Sequence, residues 1–160
     1  MKTPHTFYTA KGYRVEDSIG YLLRTLTQQL SQTVENRMAV HGMTDAQWKP
    51  LLFIQQGKAT TAAELARTTC GDTGATTRLV DRIESKGLIQ RVRSEADRRI
   101  VNLALTAEGE KIAAVIPEVL SEVLNGMLAG FTTDEYEQFK KLVHKALDNL
   151  NSADEKEATS

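Results

Sequence analysis

The sequence predicts a mainly α-helical protein with one small β-hairpin. Apolar residues recur at steps of three and four along most of the chain, and this period changes to two only between Leu88 and Leu105. Residue types that cap helices precede several of the apolar runs. The 160 residues are 41% hydrophobic, which is enough for the core of one domain, so we expect 1–160 to form a single unit.

The first long helix is predicted over 18–40. Its apolar stripe consists of Ile19, Leu22, Leu23, Leu26, Leu30 and Val34. Gly42 can end this helix, because glycine readily adopts the left-handed conformation that follows a helix C-terminus. Residues 1–15 show no sustained period and are predicted to form an arm that orders only where it packs on another surface.

Two capping boxes mark the starts of the next two helices. Thr44 is followed three residues later by Gln47, and Thr61 by Glu64, so each pair can satisfy free amide groups. Pro50 lies inside the first of these helices, where a proline costs about 3 kcal/mol or bends the axis. We therefore expect either an irregular first turn or a bend in that helix.

A fourth helix follows a tight turn at Gly71. Either Asp72 or Thr73 can cap this helix, and Gly87 can end it. Its buried face is predicted to hold Leu79, Val80 and Ile83. Two short helices joined by a glycine-containing turn are typical of a helix-turn-helix.

The segments 88–93 and 100–105 alternate like strands on either side of the polar turn 94–97. This pattern predicts a hairpin directly after the helix-turn-helix, the arrangement known as a wing. The winged helix-turn-helix lobe is therefore expected to span 44–105.

Two more helices are predicted within 107–150. Thr106 caps the first, in which Pro117 is expected to cause a kink, and Thr132 with Glu135 forms a capping box for the last. The polar segment 151–160 has no period and is predicted to be a disordered tail.

The charge distribution restricts the class of partner. The net charge is only −1, but residues 1–75, 76–99 and 100–160 carry balances of +2, +3 and −6, so an acidic last third masks a basic middle. No segment approaches the ~20 apolar residues that a membrane span needs.

Cysteine and histidine are too sparse for a disulfide framework or a metal centre. Cys70 is the only cysteine, which excludes an intrachain disulfide and favours a cytoplasmic protein. His5, His41 and His144 are widely separated, so no metal or other cofactor is expected.

One long stretch gives a specific resemblance. Residues 61–109 read TAAELARTTCGDTGATTRLVDRIESKGLIQRVRSEADRRIVNLALTAEG. The closing run from Asp97 to Gly109 fits the pattern DRR-x3-LxLTxxG, and the whole stretch resembles the MarR family of winged helix-turn-helix transcriptional regulators. The flanking helices fit in number and place. The resemblance covers nearly the whole chain and implies a regulator that binds double-stranded DNA.

The resemblance, together with the physics of groove recognition, gives a set of candidate DNA contacts. A recognition helix enters the major groove with its N-terminal residues near the base edges, and a wing can place arginines on the adjacent minor groove or its phosphates. The helix candidates are Thr61, Thr73, Gly74, Ala75, Thr76, Thr77, Arg78 and Arg82. The wing candidates are Arg91, Arg93, Arg98 and Arg99. An ordinary solvated helix and charge run is the alternative interpretation.

Asp97 is predicted to structure the wing. A carboxylate beside DNA would be repelled, so we expect it to pair with Arg99 and leave Arg98 free to reach the groove. The alternative is an exposed charge pair of little consequence, because such pairs contribute only about 0–1 kcal/mol.

The helices outside the lobe, 18–40 and 107–150, carry more apolar surface than a small DNA-binding lobe needs. In the family such helices interlock into a two-fold dimer, and we infer a homodimer here. Such a dimer reads a pseudo-palindromic operator whose half-sites lie about one turn, ~34 Å, apart. Ordinary intrachain core is the alternative for some of these residues.

The resemblance also implies an effector, commonly a small aromatic carboxylate or a phenol, that releases the protein from DNA. The candidate lining residues are Arg14, Arg24, His41, Met43, Trp48 and Phe53. The two arginines are the candidates to meet a carboxylate, whereas Trp48 and Phe53 also have the helical spacing of core residues.

The sequence also bears on three other functions. No phosphate loop, nucleotide fingerprint or nucleophile motif is present, so an enzyme is not expected. A winged-helix adaptor for protein interactions stays open, because a fold does not dictate function. A redox-responsive regulator that uses Cys70 is the other alternative, although a buried, inert thiol is the default for a lone cysteine.

Overall fold

The computed structural model describes residues 5–69, 72–94 and 96–157. Within these residues the chain forms six α-helices, a short 3-10 turn and a two-stranded antiparallel sheet, so the predicted fold class is confirmed. The 3-10 turn covers Ala10–Gly12, and the helices and strands in chain order are α1 Ile19–Ala39, α2 Asp45–Gln55, α3 Ala62–Thr68, α4 Thr73–Ser85, β1 Ile89–Arg93, β2 Val101–Leu105, α5 Ala107–Met127 and α6 Thr133–Glu157.

Two compact units make up the chain, 1–123 and 124–160. The helix-turn-helix, the hairpin and most of α5 belong to the first unit. Its core is formed by one cluster of buried apolar side chains that includes Met38, Leu51, Leu65, Ile83 and Ile116. The assignment of the whole chain to one domain stays a prediction.

Helix α1 begins at two side chains that satisfy its first amide groups. The Ser18 hydroxyl accepts a hydrogen bond from the Tyr21 amide at 3.2 Å, and the Tyr8 hydroxyl accepts one from the Ile19 amide at 2.9 Å. The second bond shows that the described part of the N-terminal arm packs against the start of α1. Gly42, with a φ of 70°, reverses the chain after the helix, as predicted.

Helix α2 runs through Pro50 without interruption. The predicted capping interaction at its start is present, since the Thr44 amide donates to Gln47 Oε1 at 3.3 Å. Pro50 is fully buried in the core, so burial of its ring offsets the one intrahelical hydrogen bond that it cannot donate.

The capping box of α3 is also confirmed. Thr61 Oγ1 accepts from the Glu64 amide at 3.2 Å, and the Glu64 carboxylate accepts from the amides of Thr60 and Thr61 at 2.7 and 3.2 Å. The hydrogen bonds from Thr60 are the main reason that the pKa of Glu64 lies below its ordinary value of 4.5. The turn into α3 is therefore held by an ionised carboxylate.

Helix α4 is capped by Asp72, which decides between the two predicted caps. Asp72 Oδ2 accepts a hydrogen bond from the Ala75 amide at 2.8 Å. The buried side chains of the helix are Thr76, Val80 and Ile83, which lie on one face. That face packs α4 onto the core and leaves the opposite face in solvent.

The hairpin is joined to α4 and α5 by a tight junction at its base. Strands β1 and β2 pair from Ile89 opposite Leu105 to Arg93 opposite Val101. Thr106 Oγ1 donates to the Gly87 carbonyl at 2.6 Å and accepts from the Gly109 amide at 3.0 Å. An added Cβ at Gly109 would lie 1.8 Å from the Leu88 carbonyl oxygen, so this helix position requires glycine.

The C-terminal helices differ from the prediction in one respect. Helix α5 continues through Pro117 to Met127, and α6 opens with the predicted capping box, in which the Thr132 amide donates to Glu135 at 2.8 Å. However, α6 extends to Glu157, so the prediction of disorder from residue 151 is wrong for 151–157. Alanine, glutamate and lysine favour a helix even without an apolar stripe, and this composition prolongs α6.

Replacement of Gly109 by alanine is expected to destabilise the fold by about 3 kcal/mol, because overpacking against backbone atoms cannot be relieved by a rotamer change. Chemical denaturation at fixed protein concentration measures the effect. Gly126→Ala is the matched control in the same helix, because nothing lies within 4 Å of its added Cβ. The control should be neutral or up to about 1 kcal/mol stabilising. Equal stability of the two variants would contradict the account of the junction.

Candidate nucleic-acid interface

The N-terminal half of α4 presents a polar, sterically open surface to solvent. Five of the predicted contact residues are exposed there, namely Thr73, Gly74, Ala75, Thr77 and Arg78. The aligned amide groups of the first turn also favour negative charge at this end, although one of them is already used by Asp72. Such a surface suits close approach to a phosphate backbone and to base edges.

Thr76 is a correction to the predicted set. Its side chain is only 4% exposed and lies on the same face as Val80 and Ile83, so it supports α4 from the core. The signal was available in the sequence, because Thr76 stands four residues before Val80 and therefore continues the buried stripe. The half-buried side chain of Thr61 caps α3, so its hydroxyl already has a hydrogen-bond partner within the chain.

Gly74 lies beside the side chains of Asp72 and Arg78. A Cβ at this position would lie 3.2 Å from Asp72 Oδ2 and 3.8 Å from Arg78 Nη1. Only the first distance is tight, so an alanine here would press on the Asp72 helix cap but would make an ordinary contact with the Arg78 guanidinium. Thr77 is exposed and donates its hydroxyl proton to the Thr73 carbonyl at 2.9 Å, which leaves its oxygen able to accept a hydrogen bond.

Four further arginines of the predicted set are exposed, one on α4 itself and three on the hairpin. They are Arg82, Arg93, Arg98 and Arg99. Within the described parts of the chain, no ion pair engages the guanidinium groups of these four residues or of Arg78. These cations are therefore available to an external anion.

Arg91 differs from the other arginines because it is already paired. Its Nη2 donates to Asp81 Oδ1 at 2.6 Å and its Nη1 donates to Glu84, and both carboxylates belong to α4. The hydrogen bond to Asp81, helped by the nearby charge of Glu84, raises the pKa of Arg91 above its ordinary value. Arg91 thus joins the wing to α4 in the DNA-free chain, and its predicted contact with DNA stays a prediction.

Sequence reasoning missed Asp81 and Glu84 as partners of Arg91. The alternation of side chains along a strand indicates which face Arg91 is on. Arg91 lies two residues after the buried Ile89 and so points to the same side of β1. That side packs against α4, whose outer positions carry the two acids. The choice of partner still depends on the helix–strand geometry, which the sequence does not contain.

Asp97 structures the wing through the backbone. Its Oδ1 accepts a hydrogen bond from the Arg99 amide at 2.9 Å, and its carbonyl accepts one from the Ile100 amide at 2.9 Å. The predicted wing-structuring role is present, but the predicted charge pair with the Arg99 side chain is wrong. An aspartate can bond the amide two residues ahead in a local turn, and this interaction leaves the guanidinium free.

The predicted effector residues occupy different environments. Met43 and Trp48 are buried in the core, at 3% and 7% exposure, His41 and Phe53 are half-buried, and Arg14 and Arg24 are exposed. The Trp48 indole Nε1 is buried without a hydrogen-bond partner among the described residues. A shallow depression in the other unit, lined by Ala129, Gly130, Phe131 and Glu135, contains none of them.

Two further observations concern other kinds of site. In the described part of the chain, no group of three or more histidine, cysteine, aspartate or glutamate side chains is arranged to hold a metal ion. Across the same residues, no helix is both long and apolar enough to cross a bilayer. Cys70, the candidate redox thiol, lies outside the described residues.

The fold and this surface define a winged helix-turn-helix protein. A family model described as the MarR family matches residues 43–101, which is the lobe from the start of α2 to the start of β2. The chain is 28% identical over 130 residues to the multiple antibiotic resistance protein MarR of Escherichia coli strain K12, covering 81% of this chain and 90% of that protein. The chain is therefore similar to the MarR family over its winged helix-turn-helix lobe, and to a member of that family over most of its length.

Solved structures show the same likeness. The reduced form of MarR from Escherichia coli matches with a TM-score of 0.71 at 27% identity, over 81% of this chain and 96% of that one. A cysteine-to-serine mutant of the same protein, solved with operator DNA, also matches with a TM-score of 0.71, at 28% identity over 81% of this chain and 93% of that one. The likeness to the MepR–DNA complex of Staphylococcus aureus, at 23% identity, over 84% of this chain and 98% of that one, and a TM-score of 0.73, concerns the fold alone.

Replacement of Asp97 by asparagine is expected to preserve the wing tip, because the asparagine carbonyl can accept the same hydrogen bond from the Arg99 amide. Asp97→Ala removes the acceptor and should speed amide hydrogen exchange at Arg99 and Ile100 severalfold. Exchange measured by NMR on the DNA-free protein separates the two variants. Equally fast exchange in Asp97→Asn would indicate that the charge of Asp97, and so an ion pair, holds the tip.

Proposed function

We propose that the protein is a DNA-binding transcriptional regulator that acts as a homodimer on a pseudo-palindromic operator. One observation carries the proposal. The exposed start of α4 and the arginines near it form a surface with cations that no carboxylate of the described residues neutralises. The relative solved with operator DNA supports the same assignment.

The geometry suits groove binding by two elements. The α4 helix can enter the major groove with Thr73, Thr77 and Arg78 toward base edges, because its buried face keeps the remainder of the helix on the core. The hairpin can then place Arg98 on the adjacent minor groove or its phosphates. Phosphate contacts fix the position on DNA, and base contacts supply the specificity.

A second copy of the chain is the proposed partner for the apolar surfaces outside the lobe. In the first unit, α1 leaves Ile19, Leu22 and Leu23 exposed. In the second unit, α6 leaves Leu142, Leu147 and Leu150 exposed. Solvent exposure of such stripes is unfavourable, and a two-fold dimer that covers them doubles the number of base pairs read.

We further propose that the protein is a repressor released by a small aromatic carboxylate or a phenol. The buried indole Nε1 of Trp48 lacks a hydrogen-bond partner among the described residues, and an acceptor on a ligand that enters the junction of α1 and α2 would satisfy it. Lys86, at the end of α4, donates to the Gly42 carbonyl at 3.2 Å and to Gln47 Oε1 at 3.0 Å. A ligand that shifts this junction would therefore also shift α4.

The coupling that this regulation needs is small. A ten- to hundredfold loss of DNA affinity corresponds to about 1.4–2.8 kcal/mol, which a change in the spacing of the two recognition helices can supply. No catalytic role is proposed, because the relatives are transcriptional regulators and the candidate site consists of hydroxyls and guanidinium groups suited to anion recognition.

Arg98→Ala is expected to lower the affinity for operator DNA about tenfold. The slope of log affinity against log salt concentration should also fall by about the amount that one phosphate contact contributes. Fluorescence anisotropy over a salt series measures both, on DNA selected from the upstream region of its own gene. Lys111→Ala removes an equal charge on α5, far along the chain from α4, and should leave both values near those of the wild type.

The same titration tests the effector. One member of a hydroxybenzoate panel should weaken DNA binding and change the fluorescence of Trp48, the only tryptophan. Absence of specific binding, both to the upstream DNA and to a genomic fragment pool, would contradict the proposed function and favour an adaptor for protein interactions.

A further inference from the structure

Arg91 connects the wing to α4 through two carboxylates at once. Its two terminal nitrogens reach different acids, Nη2 bonding Asp81 at 2.6 Å and Nη1 bonding Glu84. The acids lie three residues apart on α4, so they are neighbours on the helix surface. The Arg91 side chain is about one-third exposed, which places the cluster at the rim between helix and hairpin.

The cluster lies on the helix that the proposed function places in the major groove. Asp81 and Glu84 are the only acidic residues between Thr73 and Arg93. Without a cation beside them, both would repel the phosphate backbone when α4 approaches DNA. Arg91 therefore neutralises the part of α4 that would otherwise oppose binding.

The same contact controls the position of the wing tip. Arg91 pairs with Leu103 in the middle of the hairpin, and a strand rises about 3.3 Å per residue. The turn that carries Arg98 begins about 10 Å beyond Arg91, so a small rotation at Arg91 becomes a larger displacement of Arg98. A hairpin of two strands has little rigidity of its own and depends on such a tether.

We propose that Arg91 is a positioning residue that fixes the wing against α4 and neutralises Asp81 and Glu84, rather than a contact to DNA. The inference rests on the proposed function. It requires arginine in particular, because a planar guanidinium presents separate donors to two carboxylates, whereas a lysine ammonium is a single point charge.

The test compares lysine and alanine replacements at Arg91 and Arg98 by fluorescence anisotropy. Arg91→Lys keeps the charge but cannot bridge both acids, so it should lose nearly as much affinity as Arg91→Ala, about tenfold. Arg98→Lys is the matched control and should stay within about threefold of the wild type, because a lysine still meets a phosphate. The slope of log affinity against log salt concentration should fall by about the contribution of one phosphate contact for Arg98→Ala and change little for Arg91→Ala.

A second measurement is independent of DNA. Amide hydrogen exchange of the DNA-free protein should quicken at Val92 and Ser94 in both Arg91 variants and stay unchanged in both Arg98 variants. Circular dichroism checks that the exposed substitutions leave the fold intact.

Two results would overturn the proposal. One is near-wild-type DNA affinity of Arg91→Lys beside a loss in Arg91→Ala, which would identify a phosphate contact. The other is unchanged exchange of the wing in both Arg91 variants. If the wild type binds no DNA, the proposed function fails, whereas the exchange data still decide whether Arg91 holds the wing.

Discussion

The contact between Gly109 and the Leu88 carbonyl brings three elements together at one point. Helix α4 ends there, the hairpin begins there, and α5 starts with Thr106 bonded to both sides. The α5 backbone can approach this carbonyl only because Gly109 has no side chain between them. This junction therefore sets where the hairpin, with its arginines, follows helix α4.

The arginines of α4 and the hairpin fall into two groups, one paired within the chain and one without a carboxylate partner among the described residues. Arg91 is used internally, on Asp81 and Glu84, whereas Arg78, Arg93 and Arg98 have no carboxylate partner among the described residues. The overall charge of −1 hides this division, because it averages an acidic C-terminal third with the basic lobe. A protein of nearly neutral composition can thus present a locally cationic surface to a nucleic acid.

Local interactions were predictable from the sequence, and partner choices across elements were not. The capping boxes at Thr61 and Thr132 follow from residues three positions apart, so the structure confirms them. The partners of Arg91 and Asp97 depend on how a hairpin lies on a helix and on which backbone amide a turn exposes. Burial of Thr76 was predictable from the period of α4. The resemblance to a recognition helix favoured a DNA contact for its hydroxyl instead.

If α4 enters the major groove of a two-fold operator, the complex should protect guanine N7 from methylation. The N7 atom lies in the major groove, so a bound recognition helix should shield it. We expect two protected patches whose centres lie about one helical turn, ~10 base pairs, apart. Protection at a single patch, or protection of minor-groove positions alone in a complex that binds tightly, would contradict the account.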